Sequence, residues 1–390
     1  MVTTESEEIY FGGPDLPPGR LRDLLAERVA AVPAGGAIDW VTYYFRDRQL
    51  AEELLRAHRR GVKVTITLEG HPRTPDANDE VIAMLAGPDG LDKGFRTVKL
   101  PRVLTPSGKL RTPHLHLKLY CFSHPKPVAF IGSFNPSGND PEERPDVLRE
   151  IGDQDRGHNV LIGLHDPTLV NGLLNHARWL HRARHRVYYR FSPRANRTLA
   201  GLDTKIYFWP RILPHPAMRF LKQVGTGARI RIAASHLKGL GIIESIIELC
   251  RRDAAVEILA EPTVRRVPSE VERLLIEAGI PFQRVTHPED LPMHNKFVLV
   301  EKANQRWVVF GSFNWTGRSY WLNYEIGAIS ANEQLFAAFA ARWEALEAQV
   351  GLSCKLTDGV SSATDSTIHY SLRSIANWVP VPARRQCGTA

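Results

Sequence analysis

The succession of apolar and polar positions runs through the same order of elements twice. Residues 37–44 form an apolar run of strand character, 48–60 carry apolar positions at helical spacing, and 62–68 are a second apolar run. The order returns as a strand at 228–234, a helix at 242–252 and a strand at 256–259. Strand, helix, strand is the pattern of a parallel pair joined by a crossover, so each stretch predicts one such unit. Helical patterns at 79–85 and 269–278 follow, then short strands at 96–100 and 282–285. Next come runs rich in Leu, Val, Phe and Tyr at 113–122 and 293–300, which predict buried strands. Each is trailed by a further strand, 128–132 and 307–311, that ends in Gly-Ser. Helices at 167–185 and 333–350 close the two stretches. The reading is an α/β protein of two repeated halves, 37–200 and 201–350, with mixed, largely parallel sheets. Residues 1–36 read as an N-terminal extension, and 351–390, with its Ser, Thr and Pro, as a loosely attached tail.

Composition narrows the class without naming a function. With 390 residues, 43% hydrophobic and 24% charged, the chain can build a sizeable core over two or three domains. No apolar run is long enough to span a bilayer, and the first residues carry Glu5, Glu7 and Glu8 instead of a basic and then apolar leader. The expectation is a soluble cytoplasmic protein. Cys121, Cys250, Cys354 and Cys387 are widely spaced, which argues against a metal knuckle or a disulfide framework. The net charge of +8 is uneven. Residues 167–202 contain no acid and gather Arg178, Arg182, Arg184, Arg186, Arg190, Arg194 and Arg197 with Trp179, Tyr188, Tyr189 and Phe191. That strip suits nucleic acid or an anionic membrane surface, or else a solvated helix anchored by aromatics.

The chemistry sits on the repeat. His116-Leu117-Lys118 is followed by Gly132-Ser133-Phe134-Asn135, and His294-Asn295-Lys296 by Gly311-Ser312-Phe313-Asn314, at His-to-Gly spacings of 16 and 17 residues. Strand alternation puts each His on the face of its Lys, and glycine at the next strand end would let backbone approach a ligand closely. Lys, Asn and Ser supply cationic and hydrogen-bonding contacts for a phosphate. Two imidazoles allow one to attack phosphorus while the other protonates the leaving oxygen. Such a set describes phosphodiester cleavage without a metal or other cofactor.

With these motifs the chain resembles the phospholipase D superfamily, whose His-x-Lys and downstream Gly-Ser-x-Asn occur as two copies meeting in one active site. The resemblance spans roughly residues 37 to 345. It implies that His116, Lys118 and Asn135 pair across a pseudo-twofold axis with His294, Lys296 and Asn314. One His would form a covalent phosphohistidine, by family tendency the first-copy His116, and the other would act as acid and then base. Ser133 and Ser312 would touch phosphate or support the residues that do. An acid five residues after each Lys is usual in the family; Ser123 and Glu301 stand there.

The copies also differ from each other. Glu325 occupies the place of the acid that orients a catalytic imidazole, whereas alignment of the apolar strands sets Asn159 opposite it, with Asp153 or Asp155 as carboxylates that could swing in. With Asn159 as the partner of His116, His294 would be the better-supported base and the roles would reverse. His114 lacks a counterpart in the second copy, and His236 and Lys238 repeat His-x-Lys without a following Gly-Ser-x-Asn. His114 reads as a local, satisfied histidine, and the other two as structural or specificity residues. The partner implied is a phosphodiester substrate, phospholipid ahead of nucleic acid, bound in a monomeric active site with peripheral anionic membrane contact. A nuclease and a non-catalytic polyanion-binding module are the alternatives.

Overall fold

The structure is a computed structural model that describes residues 7–104, 108–139, 144–151, 156–183, 192–211 and 215–353. Its elements follow the duplicated pattern. The first crossover unit is strand Ala37–Thr42, helix Arg48–Arg59 and strand Lys63–Glu69; the second is Arg229–Ala234, Leu240–Arg251 and Ala255–Ala260. Helix Arg48–Arg59 starts where Asp47 Oδ1 accepts from Leu50 N at 2.8 Å, satisfying a backbone donor that the first turn leaves open. Helix Pro167–Arg182 starts in the same way on Asp166, with proline at its first position, where no N–H is needed.

Two sheets result. The first runs in the order Glu8–Phe11, Val160–Leu164, Val128–Gly132, Leu119–Phe122, Ala37–Thr42, Lys63–Glu69, Phe95–Val98. The second runs Thr198–Ala200, Thr204–Trp209, Glu325–Ser330, Gln305–Gly311, Lys296–Lys302, Arg229–Ala234, Ala255–Ala260, Phe282–Arg284. Both are mixed. Within these two sheets parallel pairing joins the crossover strands and the short strand beyond them. The His-x-Lys strands and the Gly-Ser strands are joined by short connections, which return the chain antiparallel.

Of the N-terminal extension, residues 7–36 are described, and they include a strand of the first sheet. Glu8–Phe11 pairs antiparallel with Val160–Leu164, as Thr204–Trp209 pairs with Glu325–Ser330 in the second half. The repeat therefore begins before residue 37. A four-residue strand leaves too short an apolar pattern to identify in the sequence.

Helix Glu333–Ser353 carries Leu335, Phe339, Trp343 and Leu346 into a core that also holds Leu169, Leu173 and Leu180 of helix Pro167–Arg182. The same cluster contains Leu115, Leu117, Leu119, Ile131 and Ile162 from the first half and Phe297, Leu299, Val308, Phe310 and Ile326 from the second. Separate outer cores back each sheet with the crossover helices. The inner faces of the two halves thus share one apolar interior, and the strand ends that carry the repeated motif meet at its rim.

Of the arginine-rich strip, Arg178 is tied to buried Asp39 through Nε and Nη2 at 3.1–3.2 Å, and Arg194 lies over Trp179. Residues 184–191 of the strip, Asp153, Asp155 and the tail beyond Ser353 lie outside the described residues.

Candidate functional site

His116 and His294 do not lie inside strands as the apolar runs suggested. Leu115 and Met293 make isolated bridges, and the ladders begin only at Leu119 and Lys296. The approach segments are still extended, so alternation survives: Leu115, Leu117 and Leu119 enter the shared core while the polar residues between them face the other way. Each lysine is buried and folds back on its own motif. Lys118 Nζ donates to the His116 carbonyl at 2.8 Å, and Lys296 Nζ to the His294 carbonyl at 2.9 Å.

The partners of the two histidines are crossed between the halves. His116 Nδ1 lies 2.8 Å from Glu325 Oε2, and His294 Nδ1 lies 2.9 Å from Asn159 Oδ1. The expectation that Glu325 serves His294 and Asn159 serves His116 is therefore corrected. Sequence alignment of Asn159 with Glu325 holds; the half they serve does not. The cause is the backbone. Leu115 bridges Tyr324 in parallel, and His158 bridges Met293 in parallel, so the residue before each histidine is in register with the residue before the opposite partner. His116 N donates to Tyr324 O at 2.8 Å and His294 N to His158 O at 3.1 Å, which fixes both crossings.

These partners set the tautomers. A carboxylate and an amide oxygen only accept, so both histidines carry hydrogen on Nδ1 and leave Nε2 for chemistry. Glu325 also accepts from Ser312 Oγ at 2.5 Å, Ser319 Oγ at 2.9 Å and Asn323 Nδ2 at 3.2 Å. Asn159 Oδ1 accepts from Ser133 Oγ at 3.1 Å. Ser133 and Ser312 occupy equivalent positions, each also accepting a backbone N–H, from Val160 and Ile326. Their hydroxyls brace the imidazole partners, which is the supporting role of the two anticipated for them. Asn135 Oδ1 accepts from Tyr44 N at 3.4 Å, while Asn314 Oδ1 is buried with no hydrogen-bond partner among the described residues.

The motif glycines serve the sheet and not a ligand. A Cβ on Gly132 would stand 2.1 Å from Val160 O, and one on Gly311 2.4 Å from Ile326 O. The neighbouring strand takes the space that the sequence suggested for substrate. It is this approach that brings Ser133 beside Asn159 and Ser312 beside Glu325.

Electrostatically the four motif bases crowd one another, and each disfavours a charge on the others. Burial lowers the Lys118 pKa to about 7, with Glu325 opposing the shift, and burial with the charge of Lys118 holds Lys296 well below its usual value. Burial depresses His116 to about 4 against the pull of Glu325. His294 is depressed by burial and by Lys296, Lys118 and the charge of His116. Each imidazole feels the lysine of the other half, so the two motifs share one site.

Two buried glutamates escaped the sequence reading. Glu69 Oε2 accepts from Leu115 N at 2.6 Å, and Glu261 Oε2 accepts from Met293 N at 3.0 Å. Glu69 is the last residue of strand Lys63–Glu69 and Glu261 follows strand Ala255–Ala260 directly, and each holds the residue before a motif histidine. The signal was a Glu closing the second strand of both units, with Arg73 and Arg265 four residues further on. Tyr43 was also missed; its ring packs against His116 with centroids 5.0 Å apart and lies 5.4 Å from Lys118 Nζ. His114 Nε2 lies 3.1 Å from Arg318 Nη1, a partner from the second half, while its Nδ1 is buried with no hydrogen-bond partner among the described residues. Ser123 and Glu301 are structural, Ser123 accepting from Ala37 N and Glu301 pairing with Arg231.

No curated protein sequence matches the chain. Among solved structures, phosphatidylserine synthase of Haemophilus influenzae is similar with a TM-score of 0.62 at 12% identity, over 88% of this chain and 86% of that one. Polyphosphate kinase of Porphyromonas gingivalis is similar with a TM-score of 0.57 at 13% identity, over 86% of this chain. The chain spans only 46% of that kinase. At such identities the likeness is one of fold, and it extends across both halves. The family model described as cardiolipin synthase, phospholipase D-like domain, matches residues 33–154 and 222–346, one segment for each His-x-Lys motif. The chain therefore belongs to the phospholipase D-like family that this domain defines.

Proposed function

We propose that the protein is a phosphodiesterase or phosphatidyltransferase that cleaves its substrate through a phosphohistidine on His116, with phospholipid as the favoured substrate class. The observation that carries the assignment is the crossed pairing, which gives His116 a carboxylate and His294 an amide. A carboxylate on Nδ1–H stabilises the positive charge that an imidazole gains when Nε2 attacks phosphorus; an amide only orients the ring. The reversal of roles considered from the sequence thereby loses its basis.

The first step needs His294 as the imidazolium, with a second proton on Nε2 taken up when the phosphate binds: the His116 Nε2 lone pair forms a bond to phosphorus, the phosphorus–oxygen bond to the leaving group breaks, and that oxygen takes the Nε2 proton of His294, which returns to the neutral form with hydrogen on Nδ1. In the second, His294 accepts the proton of a water or alcohol whose oxygen attacks phosphorus, and the nitrogen–phosphorus bond breaks. Lys118 and Lys296 neutralise the phosphate, and its negative charge restores the proton affinities that burial has lowered. Asn135 and Asn314 contribute amide hydrogen bonds. Both motif copies in one chain and the cardiolipin synthase description of the family favour a lipid substrate.

The test is turnover of phosphatidylglycerol vesicles, with and without ethanol as acceptor, in the presence of EDTA. Release of phosphatidic acid, or its diversion to a phosphatidyl alcohol, is expected, with loss of at least about 10³-fold in His116→Ala and His294→Ala. Cleavage of single-stranded DNA with vesicles left untouched would replace the lipid reading by the nuclease one.

A further inference from the structure

The site opens onto a face whose side chains suit a surface better than a small molecule. Residues Val103–Leu104 and Leu110–Arg111 form a two-stranded hairpin in which Leu104 and Leu110 are cross-strand partners. Both are exposed, at 69% and 62%, while Val103 is buried and anchors the hairpin. Ordinary surface chemistry would place polar residues at such a paired tip. The flanking charges are all positive: Arg102, Lys109 and Arg111 are exposed, and no Asp or Glu occurs between Lys93 and Asn139.

The hairpin leads directly to the reaction centre. Five residues carry the chain from Arg111 to His116, a reach of at most about 17 Å in extended backbone. Arg111 acts electrostatically on Arg318, and Arg318 holds His114. Lys238, in the short strand paired with Trp315–Thr316, completes the rim with Arg73 and Arg265; the charges acting on Lys238 are Arg73, Arg265, Arg318 and Arg266, all cationic. Beside Arg265 stands Val264, 62% exposed. Three of the five exposed large apolar side chains among the described residues, Leu104, Leu110 and Val264, are thus chain neighbours or strand partners of residues beside these cations. A nucleic acid would use the cations and leave the leucines in water. An anionic bilayer uses both, with apolar tips entering the acyl boundary and the collar meeting headgroups.

We propose that this rim docks on an anionic lipid bilayer, with Leu104 and Leu110 inserted and Arg102, Arg111, Lys238 and Arg265 against phosphate headgroups. The proposal deepens the phospholipid reading and rests on it for the meaning of docking. The lipid headgroup would then be presented to His116 and His294 without leaving the membrane.

Co-sedimentation with vesicles of phosphatidylglycerol and phosphatidylcholine, measured beside turnover of soluble bis(p-nitrophenyl) phosphate, separates the two claims. The protein should bind mixed vesicles and not pure phosphatidylcholine. Leu104→Ser/Leu110→Ser should weaken that binding by at least about tenfold while soluble turnover stays within about twofold. Arg102→Gln/Arg111→Gln should weaken it and make it less sensitive to salt. Undiminished vesicle binding by the leucine variant, or binding of single-stranded DNA in place of vesicles, overturns the docking proposal. Vesicle binding without turnover of either substrate would leave docking standing and remove the enzymatic reading.

Discussion

At the residue scale, the inequality of the two histidines is the decisive feature. Glu325 raises the proton affinity of His116 against burial, so Glu325→Gln should shift the acid limb of kcat/KM to lower pH and reduce kcat by about 10²-fold or more. A pH–rate profile checks both effects; loss of activity with an unmoved acid limb would mean the carboxylate acts elsewhere. Lys118 offers a second titration. Burial lowers its pKa to about 7, so it is charged below that pH and loses its charge above it. Affinity for dimethyl phosphate, whose own charge is constant over this range, should be level below about pH 7 and fall above it; Lys118→Arg, which stays charged, should flatten the fall. His116, Lys118, His294, Lys296 and the residues Glu325 and Asn159 were all legible in the sequence as members of one site. Their pairing was not, because a one-dimensional alignment places each partner with its own copy. The crossing depends on the bridges Leu115–Tyr324 and His158–Met293, which join segments far apart in sequence.

At the scale of elements, the repeated order of strands and helices was readable because the crossover helices are amphipathic and their strands apolar over several residues. Helix Arg48–Arg59 and strand Lys63–Glu69 fall within a residue or so of the positions the pattern gave. Strand Glu8–Phe11 was missed because an edge strand of four half-buried residues leaves a weak pattern; Thr204–Trp209, which lies between Thr198–Ala200 and Glu325–Ser330, was not read as part of the repeat. The carboxylates Glu69 and Glu261 looked like ordinary strand-end acids. In the fold they grip the backbone ahead of each histidine, so they position the imidazoles without touching them. Glu69→Gln or Glu261→Gln turns one acceptor oxygen into a donor facing backbone N–H. Steady-state kinetics should then show kcat lowered by about tenfold or more with KM within about twofold. An equal change in both parameters would point to general loosening of the site.

For the whole molecule, the shared interior decides how the halves behave. Leu119 and Ile131 pack in the same cluster as Phe297, Phe310 and Phe339, so neither half can bury its inner face alone. Thermal unfolding of the described body should be a single transition, and Phe310→Ala should lower its stability by about 3–5 kcal/mol. Two separated transitions would contradict the shared core. No helix among the described residues is long and apolar enough to cross a membrane. The two-half architecture was legible from the duplication. The basic, leucine-tipped rim was not, because Leu104 and Leu110 read in sequence as ordinary apolar positions and only their pairing exposes them together.

The most direct test is the location of the covalent intermediate. Rapid quenching of the enzyme with a phosphodiester substrate, followed by peptide mass analysis at alkaline pH, should place the phosphoryl adduct on His116. With bis(p-nitrophenyl) phosphate, whose leaving group departs without a proton, His294→Asn should make that adduct accumulate, because the base for the second step is gone. An adduct on His294, or none on either histidine while turnover proceeds, would contradict the roles assigned to the crossed pairs.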